Sequence, residues 1–170
     1  MKKTALCYVY FLAVSFFLSG IQSSLYFLPF SMPYFWFIVL TYYSFNKNLI
    51  FCVTLNLLHL FVICQFSSIS LFTLLINMNF ISLAFILIRD RFHVGLLQIS
   101  MSAGLGCFIF LLNGWFLNSL SHGFHIPQLL SWFGASIMTA LFTPLLIPLL
   151  EFIDKKIHTE RIDTLENLRI

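Results

Sequence analysis

Between Thr4 and Leu150 only four side chains carry charge: Lys47, Arg89, Asp90 and Arg91. A stretch this poor in charge and this rich in Leu, Ile and Phe cannot form the surface of a protein dissolved in water. Ordinary globular domains carry about 25% charged residues, whereas this chain has 9%, with 60% hydrophobic residues and a mean hydropathy of +0.96. The composition describes an integral membrane protein. At 170 residues the chain is one domain by length.

A helix that crosses the roughly 30 Å hydrocarbon layer needs about 20 mainly apolar residues. Cutting the sequence at its polar and helix-breaking points gives six such stretches, at about 5–22, 27–45, 49–65, 69–88, 94–117 and 128–150. Pro29 and Pro33 fall near the start of the second, where a missing amide hydrogen costs least. Asn46-Lys47-Asn48 makes a tight turn before the third, and Arg89-Asp90-Arg91 closes the fourth. Ser121, His122, Gly123, His125 and Pro127 form a polar loop before the sixth. The expected architecture is an all-α, polytopic membrane helical bundle of about six transmembrane helices. Residues 1–150 form the transmembrane domain and residues 151–170 a charged tail.

The few cations orient this layout. Lys and Arg in short loops favour the cytoplasmic side. With the N-terminus inside, an even number of crossings brings Lys2, Lys3, Lys47, Arg89, Arg91 and the tail's Lys155, Lys156, Arg161 and Arg169 to one face. The opposite loops, near 22–26, 66–68 and 118–127, contain no Lys or Arg. Both termini are therefore expected in the cytoplasm. Five crossings would push the four tail cations outside. The N-terminal Met1-Lys2-Lys3 and the apolar run to Leu18 imitate a secretion signal. A retained first helix serves equally well, because the chain goes on crossing the membrane.

Several function classes recede. The net charge of +3 is small and scattered, with no basic cluster interleaved with aromatics, so nucleic acid is not an expected partner. Cys7, Cys52, Cys64 and Cys107 form no C-x-x-C pair and lie in apolar stretches, as small buried hydrophobes do. No metal site and no cofactor are expected; His122 and His125 alone are a weak metal pattern. There is no Ser/His/Asp set, H-E-x-x-H or P-loop, and no paired carboxylates within the spans. An enzyme is not expected, and the lack of Asp or Glu inside the spans argues against an ion-coupled carrier.

The polar residues inside the spans are the candidate sites. His59 is the one clearly ionisable group there, with Asn56 three residues earlier on the same helical face. Their functional reading is a ligand or proton site; the plainer one is hydrogen bonding between helices. Asn77, Asn79 and Asn113 are read the same way. Ser100/Gly104 and Ser102/Gly106 are small-xxx-small pairs that let helix backbones approach closely, and Gly134-Ala135-Ser136 repeats the theme. These faces serve either packing within the bundle or a partner's helix. Pro144 and Pro148 free carbonyls and bend the last span. Asn56, His59, Ser100, Gly104, Gly106, Pro144 and Pro148 are thus the candidate packing or partner contacts. In the tail, Ile153, Ile157, Leu165 and Leu168 recur at roughly helical spacing, either as a solvated helix extension or as a docking helix.

Two segments carry a likeness to a known family. The second span, Pro33-Tyr34-Phe35-Trp36-Phe37-Ile38-Val39-Leu40-Thr41-Tyr42-Tyr43, and the last, Thr139 to Leu150 with Pro144 and Pro148 before Leu pairs, resemble the MreD family of bacterial rod shape-determining membrane proteins. The similarity of layout covers nearly the whole chain. It implies a non-enzymatic subunit of the cell-elongation (rod) complex in the bacterial inner membrane. The partners it implies are an MreC-like protein, an MreB-like filament and the peptidoglycan synthases of the lateral wall. The family's Gly-rich third helix with an aspartate near its outer end is missing: Asn56-Leu57-Leu58-His59-Leu60 has neither Gly nor Asp. The competing expectation is a substrate-binding membrane subunit of an energy-coupling-factor vitamin importer, with Asn56, His59, Asn77, Asn113 and Trp115 lining a pocket.

Overall fold

A computed structural model describes residues 2–24, 32–63, 71–92, 94–123 and 128–157. They form α1 (Lys2–Ser24), α2 (Phe35–Asn46), α3 (Leu49–Ile63), α4 (Leu71–Arg91), α5 (Leu96–His122) and α6 (Leu129–Ile157), with no strand among the described residues. Four stretches are long and apolar enough to cross a membrane: Ala5–Ser24, Leu71–Arg91, Leu96–Leu117 and Leu129–Lys155. They mark the chain as a membrane protein. α2 and α3, with 12 and 15 residues, are shorter. At 1.5 Å per residue α3 reaches about 22 Å, less than the hydrocarbon thickness.

α2 is the axis of the bundle. Every residue from Trp36 to Asn46 is buried, and the other five helices all pack on it. No driving force comes from burying apolar surface between helices in lipid, so close packing and polar bonds must hold them. Aromatic rings supply much of the packing. Trp36 and Phe37 of α2 meet Phe110 of α5 edge-on at 5.2 and 5.8 Å, and Phe85 of α4 approaches Phe37 at 6.3 Å. The outer helices keep large apolar side chains facing outward, among them Phe17, Phe61, Phe72, Leu97 and Leu130.

The helix limits follow local chemistry. Of the span expected over 27–45, the described part begins at residue 32 and is helical from Phe35; Pro33 stands just before this start, and a proline disfavours helix in the residue preceding it. Between α2 and α3, Asn46 Nδ2 donates to the Tyr42 carbonyl at 2.8 Å, and Asn48 Oδ1 accepts the Phe51 amide at 2.8 Å. The hydrophilic turn thus closes one helix and caps the next. Gly123 ends α5 at φ +89°, a left-handed conformation that glycine adopts without strain, and its amide bonds the Ser119 carbonyl. α6 runs past residue 150, where the transmembrane part was expected to end, to Ile157.

The start of α1, the α2–α3 turn and the ends of α4 and α6 gather at one end of the bundle, joined by contacts of Cys7, Lys47 and Arg89 described below. All the described charged side chains lie at that end: Lys47, Arg89, Asp90, Arg91, Glu151, Asp154 and Lys155.

Candidate functional site

Tyr42 and Tyr43 are consecutive on α2, so their side chains leave the helix about 100° apart. Both are buried, and each ends in a different polar cluster.

Tyr42 leads to the charged end. Its hydroxyl donates to Asp154 Oδ2 at 3.0 Å. The Lys47 ammonium lies 2.9 and 2.6 Å from the two Asp154 oxygens. Lys47 and Asp154 are 3% and 7% exposed. Lys47 follows α2 in extended conformation, its amide still bonded to the Tyr43 carbonyl at 2.8 Å, and this exit points the side chain back at α6. Its carbonyl accepts Arg89 Nη1 at 2.6 Å, and Arg89 Nε pairs with Asp90 Oδ1 at 2.7 Å. Cys7 Sγ lies 4.0 Å from Asp154 Oδ1, which brings α1 into the same cluster. Each acid has a cation, so the cluster carries no net charge. A buried ion pair holds its geometry only when its remaining donors and acceptors are satisfied; Tyr42 and Arg89 do that here.

Tyr43 leads to the bundle interior. Its hydroxyl donates to Asn56 Oδ1 and lies 3.3 Å from His59 Nδ1. Asn56 Nδ2 donates to Asn79 Oδ1 at 3.1 Å and to Ser82 Oγ at 3.0 Å. Asn79 Nδ2 donates to the Leu75 carbonyl at 2.9 Å. Asn56 therefore ties α2, α3 and α4 together with all its amide groups engaged. The His59 ring also meets the Phe11 main chain, and its Nε2 is buried without a hydrogen bond of good geometry.

The other candidates are dispersed. Gly104 lies against α6, where an added Cβ would come 2.9 Å from Ala140 Cβ and 3.1 Å from the Ser136 carbonyl oxygen. Gly106 faces the opposite way, toward Phe85 and Phe37, and an added Cβ would strike the Phe85 ring. Ser100 bonds its own helix at Leu96. Pro144 is half-buried and Pro148 exposed, both inside α6. One turn before Pro144, Thr139 donates to the Ala135 carbonyl at 2.7 Å and accepts the Tyr34 amide at 3.0 Å, which anchors the start of α2. Asn77 is buried beside Gly114 with Nδ2 unpartnered, away from the Asn56 cluster. Asn113 and Trp115 are half-buried on α5. Cys7, Cys52 and Cys107 are free and buried; Cys64 and His125 lie outside the described residues, as does the side chain of His122. Among the described residues no group of three or more His, Cys, Asp or Glu could hold a metal.

Asp154, placed by the sequence in the charged tail beyond the sixth span, is buried in the continuous helix α6. The helix does not stop after Pro148, and Lys47 supplies the partner that makes burial tolerable. Nothing local marks a pair separated by 107 positions.

No family model, no curated protein and no solved structure matches the chain.

Proposed function

We propose that this chain is a non-catalytic, multi-pass subunit that assembles other membrane proteins, of the kind the MreD resemblance implies. It crosses the membrane six times, with α2 and α3 as short internal spans and both termini in the cytoplasm. The membrane is the bacterial inner membrane. Its partners are an MreC-like protein, an MreB-like filament and the synthases of the lateral wall.

The observation that carries this reading is how the intramembrane polar groups are used. Asn56, Tyr43, Asn79 and Ser82 bond one another across three helices. Such bonds fix helices in place, which suits a rigid platform. The gathering of the described charged residues at one end of the bundle supports the orientation through the positive-inside rule. Depletion of the chain in its host, followed by microscopy and labelled wall-precursor incorporation, tests the reading. Cells that round up and lose lateral incorporation support it; cells that keep shape and incorporation overturn it.

A second reading, the substrate-binding subunit of a vitamin importer, draws on the unpartnered His59 Nε2 and Asn77 Nδ2, which a ligand's donors and acceptors would satisfy. Its test is vitamin uptake, which depletion would abolish while leaving cell shape intact.

A further inference from the structure

Gly104 of α5 lies against Ala140 of α6, and the Phe108 ring meets the Phe133 ring edge-on at 6.5 Å. The two helices therefore run antiparallel. At equal rise this register brings Leu96, the first residue of α5, level with Pro148. α6 continues about two and a half turns beyond that level, to Ile157. Among the described helices α6 packs on α5, α2 and α1. Past Pro148, α1 and α2 with the turn that follows it are left to hold it.

Support from α5 ends where the backbone of α6 is weakest. Pro144 and Pro148 have no amide hydrogen, so the carbonyls of Ala140 and Pro144 lose their helical bonds. Helices bend at such points. Beyond them stands Asp154, buried, with the Tyr42 hydroxyl at 3.0 Å and the Lys47 ammonium at 2.9 and 2.6 Å. These partners belong to the fixed part of the bundle. Tyr42 is on the buried central helix. Lys47 is held by its amide to the Tyr43 carbonyl and by its carbonyl to Arg89 of α4. On the remaining faces of the same segment Leu149, Phe152 and Lys155 are exposed.

We propose that residues 149–157 form a hinged arm and that Asp154 is the catch that holds it. With Asp154 on Lys47 and Tyr42, the arm lies against α2. With the catch released, the arm swings at Pro144 and Pro148. It carries with it the chain that continues from Ile157, and it uncovers Lys47 and Tyr42 at the charged end of the bundle. Hinges absorb their motion in a few residues, and a packed contact with two discrete arrangements makes them switch. A buried ion pair suits such a catch, because loss of one partner leaves the other uncompensated. The arm would move in the same way whatever the chain assembles, so the inference stands independently of the assembly reading.

Pulsed electron-spin distance measurement on the full chain in lipid tests it. A nitroxide-bearing amino acid replaces two exposed residues, Ile50 on α3 and Phe152 on the arm. A second pair, Ile50 with the exposed Leu141, reads α6 before the prolines. The otherwise unchanged chain is expected to give one narrow distance for each pair. Asp154→Ala and Lys47→Ala should each broaden the 50–152 distance and shift it by several ångströms, while 50–141 stays narrow. Asp154→Asn keeps an acceptor for Tyr42 and gives the same reading in milder form if the alanine variant does not fold. Adding Pro144→Ala and Pro148→Ala to a released variant restores the two helical bonds and should return the narrow distance. A 50–152 distance unchanged in every catch variant overturns the proposal, as does equal broadening of both pairs. A broad distribution that survives replacement of both prolines contradicts the hinge.

Discussion

Lys47 and Asp154 are separated by 107 positions and meet at 2.6 Å, nearly out of reach of solvent, where the α2–α3 turn touches the end of α6. The pair closes the bundle between a central helix and the last one. Removing one partner of such a pair leaves the other buried and uncompensated, which costs about 3–5 kcal/mol. Lys47→Ala and Asp154→Ala are each expected to lower stability by that amount in detergent unfolding titrations. The apolar double variant Lys47→Met with Asp154→Leu should recover most of the loss. Two additive single effects would mean that the pair is not coupled.

The Asn56 network is held by weaker bonds. Hydrogen bonds between membrane helices average about 0.6 kcal/mol each and reach about 1.7. Asn56→Leu removes the bonds to Tyr43, Asn79 and Ser82, so a loss of about 2 kcal/mol is expected. Tyr43→Phe should cost less than Asn56→Leu, and the double variant little more than Asn56→Leu alone. The same unfolding titration measures all three.

The two glycines of α5 differ in what opposes them. A Cβ at Gly104 meets the backbone carbonyl of Ser136 and the Cβ of Ala140, neither of which can swing aside. Gly104→Ala is expected to cost about 1–3 kcal/mol, the usual range for overpacking. A Cβ at Gly106 meets the ring edges of Phe85 and Phe37, which are side chains rather than backbone, so Gly106→Ala should cost less. Gly20 faces open space, and Gly20→Ala should be neutral or stabilising by up to about 1 kcal/mol. Thermal stability in one detergent ranks the three.

The helices were legible in the sequence because hydropathy reports length and apolarity directly. Arg89-Asp90-Arg91 and Asn46-Lys47-Asn48 stand at helix ends as expected. The role of α2 was not legible. Its run from Phe35 to Phe45 reads like any lipid-facing span, and apolar composition is the same whether a helix meets lipid or protein. Asn56 and His59 were found by being polar in an apolar run, whereas Asp154 was hidden by its charged neighbours Glu151, Lys155 and Lys156. Ser15 and Ser19 drew no notice because serine is common in membrane helices; that both are buried without a hydrogen-bond partner shows only in three dimensions.

The orientation gives its own expectation. A reporter active only outside the cytoplasm should be silent when fused after Ile170 and active when inserted after Ser67. Strong activity after Ile170 would leave an odd number of crossings.

The central claim, that the bundle exists to hold other membrane proteins, is tested most directly by purifying the tagged full chain in a mild detergent and identifying what accompanies it. The account predicts an MreC-like protein or lateral-wall synthases in near-stoichiometric amounts. Recovery of transport ATPases with a tightly bound vitamin would contradict it.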